Sequence, residues 1–124
     1  MKRSLFLALL PIIGLGLYAA KVKSMSEADL VQANLPKIEK PKKKHQILCF
    51  SKPYGFRHNS IEIGETMLRV MGEETGLFEV TFSNDLVHFE PENITKFDAI
   101  CFNNNTHIQK GMKDEALRES LISY

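Results

Sequence analysis

Two short, uninterrupted apolar runs constrain the fold of this chain more than any other feature of its sequence. Residues 47–50 read ILCF, and residues 98–102 read DAICF, in which four apolar residues follow Asp98. A short apolar run without polar alternation is typical of a strand that is buried on both faces. Strands of this kind belong to parallel sheets that carry helices on their faces. The sequence therefore predicts an α/β fold with a parallel sheet.

The segments between and after these runs predict the remaining elements. Asn59, followed three residues later by Glu62, has the capping-box spacing of a helix start, and Gly72 or Gly76 can end that helix. Residues 77–82 alternate apolar and polar side chains, which is typical of a half-exposed strand near a sheet edge. Pro91 suits the first turn of a short helix over residues 91–94.

A last helix is predicted from about Met112, with Leu117, Leu121 and Tyr124 on one face. Three strands are fewer than the five or more that are usual for a doubly wound sheet. They leave both faces of the sheet largely uncovered. We therefore expect residues 46–124 to form the first half of a domain that is truncated after its second major helix.

The amino-terminal part of the chain has a different composition. Lys2 and Arg3 precede an apolar run over residues 5–20, the pattern of a secretory signal, and no cysteine follows it to suggest a lipid anchor. The residues before the two candidate cleavage points are larger than usual, so both a cleaved signal and a retained membrane anchor through residues 5–20 stay open. Both predict an extracytoplasmic protein. Residues 21–45 are basic and read as a solvated linker, with lipid contact as the alternative.

Charge and cysteine content exclude several classes of protein. The net charge is +1, and from His45 onward twelve acidic side chains outnumber seven basic ones. An acidic domain argues against a dedicated nucleic-acid binder. Two cysteines are too few for a disulfide-dense scaffold or a CxxC zinc module.

Three sequence segments resemble the trehalose-utilisation ThuA-like family. They read ILCFSK at 47–52, GFRHNSI at 55–61 and KFDAICFNNNT at 96–106. The resemblance covers roughly residues 45–124. It implies the flavodoxin-like fold of the class I glutamine amidotransferase domain, of which this chain has the amino-terminal half. It also implies a protein that acts on or binds carbohydrate, such as trehalose, another glycoside or a keto-sugar.

The cysteines do not match amidotransferase chemistry. A nucleophile of that class needs a tight, glycine-rich turn that exposes the thiolate, whereas Cys49 and Cys101 lie inside apolar runs. We interpret both as buried structural thiols. In the strand order 2-1-3 their strands are neighbours, and whether the two cysteines pair stays open.

The candidate site lies where ligands bind to doubly wound sheets, beyond the carboxyl ends of the strands where the winding reverses. In the order 2-1-3 this point brings the loop after residue 50 opposite the loop after residue 102. The predicted substrate-binding residues are Ser51, Tyr54, Arg57, His58, Asn103, Asn104 and Thr106, and His107 is a weaker candidate. Arg57 and His58 also precede a helix amino terminus, which favours an oxygen-rich or anionic ligand group.

Two hypotheses from different classes follow. In an enzyme, His58 would act as acid or base while Arg57 holds substrate oxygens. In a non-catalytic sugar-binding or interaction domain, the same residues would only bind. No cofactor is predicted, and no metal site, because the histidines lack ligand spacing and the pair Asp85 and His88 is better explained by chance. The sugar and the oligomeric state stay open.

Overall fold

The structure, a computed structural model, describes residues 25–39 and 41–124. The predicted signal or anchor over residues 1–20 lies outside the described residues. Within them, three strands form one parallel sheet in the order β2-β1-β3. The strands are β1 (His45–Phe50), β2 (Phe78–Ser83) and β3 (Ala99–Phe102). A mixed α/β fold with a parallel sheet flanked by helices confirms the predicted class, and the order is the one assumed for the site.

Four α-helices occur in the described part of the chain. They are α1 (Glu27–Asn34), α2 (Ser60–Thr75), α3 (Pro91–Ile94) and α4 (Glu115–Ser123), and short 3₁₀ turns lie at Leu86–Phe89 and Ile108–Lys110. Among the described residues no helix combines the length and the apolar character needed to cross a membrane.

The core lies on the face of β1 opposite α2. Leu48 and Phe50 are fully buried there against Phe89, Ile94 and Met112. The rings of Phe50 and Phe89 meet edge to face, with centroids 4.8 Å apart. Alternation along the strand turns Cys49 towards the other face, where α2 lies. The central strand is thus covered on both faces.

The predicted full burial of the third strand was wrong. Ala99 is exposed, and 44% of Phe102 is accessible to solvent. Within the described residues β3 pairs with β1 alone, so its outer edge has no neighbouring strand. An apolar run indicates that a strand tends to be buried, but its position in the sheet decides how much of it is covered.

The start of α2 also differs from the prediction. Asn59 has helical backbone angles (φ −63°, ψ −23°), and its side chain makes no capping hydrogen bond. A cap residue normally adopts extended angles that aim its side chain at the first free N–H groups, and Asn59 does not. Glu62 points instead towards Arg57, with 3.9 Å between Oε1 and Nη2. The helix ends at Gly76, which adopts the left-handed conformation (φ 66°).

Helix α1 lies inside the segment interpreted as a linker. Ser26 and Asp29 form a reciprocal capping box at its start. Gln32 then donates a hydrogen bond from Nε2 to Glu74 Oε1 of α2 at 2.9 Å. None of its residues is buried. Local capping and contact with α2 therefore stabilise a helix where the composition of the segment predicted only a solvated tether.

Candidate functional site

Two loops meet at the carboxyl edge of the sheet, one after β1 and one after β3. The backbone N–H of Tyr54 donates a hydrogen bond to the Thr106 carbonyl at 2.9 Å. The backbone N–H of Asn103 donates one to the Phe50 carbonyl, also at 2.9 Å. Parallel strands place their carboxyl ends at one edge, so the order β2-β1-β3 makes this meeting obligatory. The structure thus brings the two predicted groups of site residues together.

The asparagines of the second loop are engaged in holding the loops. Asn103 donates from Nδ2 to the Ile61 carbonyl at 2.9 Å, and also lies 3.4 Å from Ser51 Oγ. Asn104 has a left-handed backbone (φ 55°) and donates to Ser60 Oγ at 3.1 Å. These bonds connect the loop after β3 to the start of α2. They use the amide donors that the sequence analysis assigned to a ligand.

Asn105, which was not among the predicted site residues, joins the two loops through both ends of its side-chain amide. Its Oδ1 accepts from the Lys52 amide, and its Nδ2 donates to the Phe50 carbonyl, both at 2.5 Å. One side chain therefore satisfies both a donor and an acceptor of the other loop's backbone. The position within the NNNT run does not show which asparagine does this, because that depends on the turn the loop adopts.

Tyr54 packs into this loop assembly. A methyl group built on Gly111 would overlap the Tyr54 hydroxyl, so the phenol lies directly on the Gly111 backbone. Lys52 Nζ lies 5.8 Å from the centre of the same ring. Gly64 lies equally close to Asn103, because a methyl group added to Gly64 would lie 2.9 Å from Asn103 Oδ1. Tyr54 and Asn103 thus occupy positions that only glycine neighbours permit.

An open cleft lies on the other side of β1, at the ends of β1 and β2. Its volume is about 330 Å³, and it is lined by Ser51, Arg57, Glu65, Phe82, Ser83 and Asn84. Ser51 and Arg57 were predicted site residues. The predicted residues that do not line this cleft are Tyr54, His58, Asn103, Asn104 and Thr106. Four lining residues were missed, although Ser83 ends β2 and Asn84 directly follows it, as the predicted loops follow β1 and β3.

One cation and two carboxylates lie in or beside the cleft. Arg57 contributes one cation, Glu65 one carboxylate, and Glu62 lies at the distance of a weak ion pair from Arg57. The side chain of Arg57 is 57% exposed, so its guanidinium stays hydrated and available. Ser51 is almost buried, and its amide donates to the Ser83 carbonyl at 2.9 Å, which ties the two strand ends together.

His58 is exposed just before α2. Its ring meets Phe56 edge to face, with centroids 4.9 Å apart, and 74% of Phe56 is accessible to solvent. The His58 carbonyl accepts from the Ile61 amide at 3.2 Å. His107, the weaker candidate, has a left-handed backbone (φ 60°) and packs near Gly55. The two imidazoles therefore lie at the same edge of the sheet, on different loops.

The candidate metal ligands have local structural roles instead. Asp85 Oδ1 accepts from the Val87 amide at 3.1 Å, which caps a 3₁₀ turn, and His88 lies edge-on to Phe97. In residues 25–39 and 41–124 there is no group of three or more histidine, cysteine or acidic side chains arranged to hold a metal ion.

The cysteines lie opposite one another on neighbouring strands. Cys49 of β1 is in register with Cys101 of β3, and both are free thiols. Burial, followed by the nearness of Cys101, raises the pKa of the Cys49 thiol to about 11. Cys49 is therefore protonated at neutral pH.

Comparison of the chain with family models, with curated proteins and with solved structures gives no match.

Proposed function

We propose that this protein binds a carbohydrate at the carboxyl edge of its sheet, as an exported ThuA-like domain with the flavodoxin-like fold. The observation that carries the proposal is the cleft between the ends of β1 and β2, which combines polar groups with one aromatic ring. Hydroxyl-rich ligands need several donors and acceptors at fixed positions, together with an apolar surface for the sugar ring.

The chemistry of the lining suits a neutral sugar. Ser51 and Asn84 can both donate and accept, Arg57 only donates, and Glu65 only accepts, so the set matches hydroxyl groups in either orientation. Phe82 supplies the apolar surface. The opposing charges of Arg57 and Glu65 favour an uncharged polyol over an anion such as a phosphate.

The size of the cleft favours a small ligand. Ligand pockets usually measure about 300–1,000 Å³. A cleft of about 330 Å³ is at the lower end of that range and fits one monosaccharide unit. A disaccharide such as trehalose would then place its second ring outside the cleft, towards the exposed rings of Phe56 and His58.

In the catalytic version of the proposal, the protein transforms the sugar as well as binding it. His58 would exchange a proton with the sugar while Arg57 binds a substrate oxygen. The alternative is a domain that binds without turnover. The cleft supports binding in both cases, and the two are separated by testing product formation for each sugar that binds.

The test measures sugar affinity and stability on the same variants of the full chain. Isothermal titration calorimetry with glucose, fructose and trehalose identifies a ligand, and Arg57→Gln and His58→Ala are then compared with the parent. Losing one charge-assisted hydrogen bond costs about 1.5–3 kcal/mol, which weakens binding roughly ten- to a hundredfold.

His45→Ala is the matched control for His58→Ala, because His45 is an exposed histidine at the opposite end of β1. It should leave affinity unchanged. If the parent binds none of the three sugars, the proposal fails. Unchanged affinity in Arg57→Gln and His58→Ala together with a lower melting temperature would assign Arg57 and His58 to structural roles.

A further inference from the structure

The structure places two thiols against each other across a strand pair. Cys49 and Cys101 are direct register partners on parallel β1 and β3. Partners in register have side chains on the same face, and neighbouring strands lie about 4.8 Å apart. Disulfides join residues whose Cα atoms are about 4.4–6.8 Å apart. We propose that Cys49 and Cys101 form a redox-active pair that a small-molecule disulfide oxidises to a cross-strand disulfide.

The two thiols differ in access, which sets the order of reaction. Cys49 is fully buried in the central strand, whereas Cys101 is partly exposed because β3 lacks a second neighbour within the described residues. A reagent in solution therefore reaches Cys101 first. Cys49 is reached only from inside the protein, by the sulfur of its register partner.

The chemistry is two thiol–disulfide exchanges. The Cys101 thiolate attacks one sulfur of oxidised glutathione, so a mixed disulfide forms and one glutathione thiolate leaves. The Cys49 thiolate then attacks Cys101 Sγ, which forms the Cys49–Cys101 bond and releases the second glutathione thiolate. The protein thiols lose two electrons and two protons, and both reappear in the two reduced glutathione molecules.

The surroundings of Cys49 favour a slow second step at neutral pH. The groups that face it are Cys101 on β3, the Glu65 carboxylate on α2, and the Ser51 hydroxyl at the end of its own strand. Burial and the negative charge of Glu65 oppose the thiolate, while the hydrogen bond to Ser51 favours it. The mixed disulfide on Cys101 therefore precedes closure, and closure accelerates as the pH rises.

The disulfide would fix β3 to β1 at the end of the sheet that carries the candidate site. The bond would join β1 to β3 covalently one register position before both strands end. Cys49 and Cys101 each precede by two residues the first polar residue of a site loop, Ser51 and Asn103. The inference itself does not depend on the proposed carbohydrate function.

The full chain is equilibrated under native conditions with mixtures of reduced and oxidised glutathione, quenched with an alkylating agent, and analysed by mass spectrometry. We expect an oxidised monomer that is lighter by two hydrogen atoms and takes up no alkyl group. Digestion should release one peptide pair joined through Cys49 and Cys101, and reductant should restore two alkylatable thiols.

Single substitutions test the order of attack. Cys49→Ser should accumulate glutathione on Cys101, because no second thiol can displace it, whereas Cys101→Ser should leave Cys49 unmodified. The inference is overturned if the parent keeps two free thiols in oxidised glutathione, stops at the mixed disulfide, or links two chains. Glutathione on Cys49 in the Cys101→Ser variant would overturn the proposed order.

Discussion

The two sides of the β1 carboxyl end use similar residues for different purposes. On the β3 side, Asn103, Asn104 and Asn105 direct their amides into the neighbouring loop and helix. On the β2 side, Asn84 and Glu65 line an open cleft. A polar side chain whose donors and acceptors are satisfied by backbone stabilises the fold, and one that faces solvent is free for a ligand. Polar composition alone therefore does not identify a binding site.

The largest effect should come from Asn105→Ala. It removes the partner of the Lys52 amide and one partner of the Phe50 carbonyl, both in a partly buried setting. Two lost hydrogen bonds and an unsatisfied donor should lower the free energy of unfolding by about 2–4 kcal/mol. Urea denaturation measures this. Asn104→Gly is the control, because its bonds are exposed and glycine tolerates the left-handed backbone at this position (φ 55°). An equal loss in both variants would contradict the special position of Asn105.

Gly111→Ala should have the next largest effect. The added methyl group would overlap the Tyr54 hydroxyl, so the ring or the loop must move. Overpacking of this kind typically costs about 1–3 kcal/mol. The double variant Gly111→Ala with Tyr54→Ala removes the overlap, so adding Gly111→Ala to Tyr54→Ala should cost almost nothing. Additive losses would show that Tyr54 does not pack on Gly111.

Asn84→Ala tests whether a polar residue of the cleft contributes to binding and not to stability. Asn84 is exposed and lines the cleft, so its removal should leave the free energy of unfolding within about 0.5 kcal/mol of the parent. A neutral hydrogen bond contributes about 0.5–1.5 kcal/mol, so sugar affinity should fall roughly two- to tenfold. Calorimetry and urea denaturation of the same preparation give both values. A stability loss like that of Asn105→Ala would erase the distinction between the two sides.

The smallest effect concerns the opposite edge of the sheet. A hydrogen bond from the Gln46 amide, at 2.8 Å, is the main cause that lowers the pKa of Asp98 below its usual value of 3.8. A carboxyl group with a lowered folded-state pKa stabilises the protein above its unfolded pKa, and this contribution is lost as the pH falls through the folded value. Asp98→Asn should therefore flatten the loss of stability below about pH 4.

Urea denaturation of the parent and of Asp98→Asn at a series of pH values between neutrality and the acid range checks this. The control Glu92→Gln changes a carboxyl group on α3 that makes no hydrogen bond through its side chain within the described residues, and it should follow the parent. If Asp98→Asn follows the parent as well, the Gln46 contact does not stabilise the folded protein.

Several local features were predicted correctly from residues close together in sequence, although the capping box at Asn59 was not. The short helix Pro91–Ile94 has the predicted bounds, because a proline in the first turn fixes the start of a helix without its neighbours' help. Gly76, one of two predicted stops for α2, ends it in the left-handed conformation that favours glycine. The strand β1 begins one residue before the predicted domain start and ends with the apolar run.

The sequence by itself thus determined the fold class, the parallel strands, and the meeting of two polar loops at one edge. Tertiary structure decided how deeply β3 is buried, whether Asn59 caps α2, and on which side of β1 the cleft opens. The loops at this end of the sheet are joined by residues distant in sequence, such as Asn103 with Ile61 and Tyr54 with Gly111. A side chain's type sets which bonds it can make, and only the packed chain decides whether those bonds are already used.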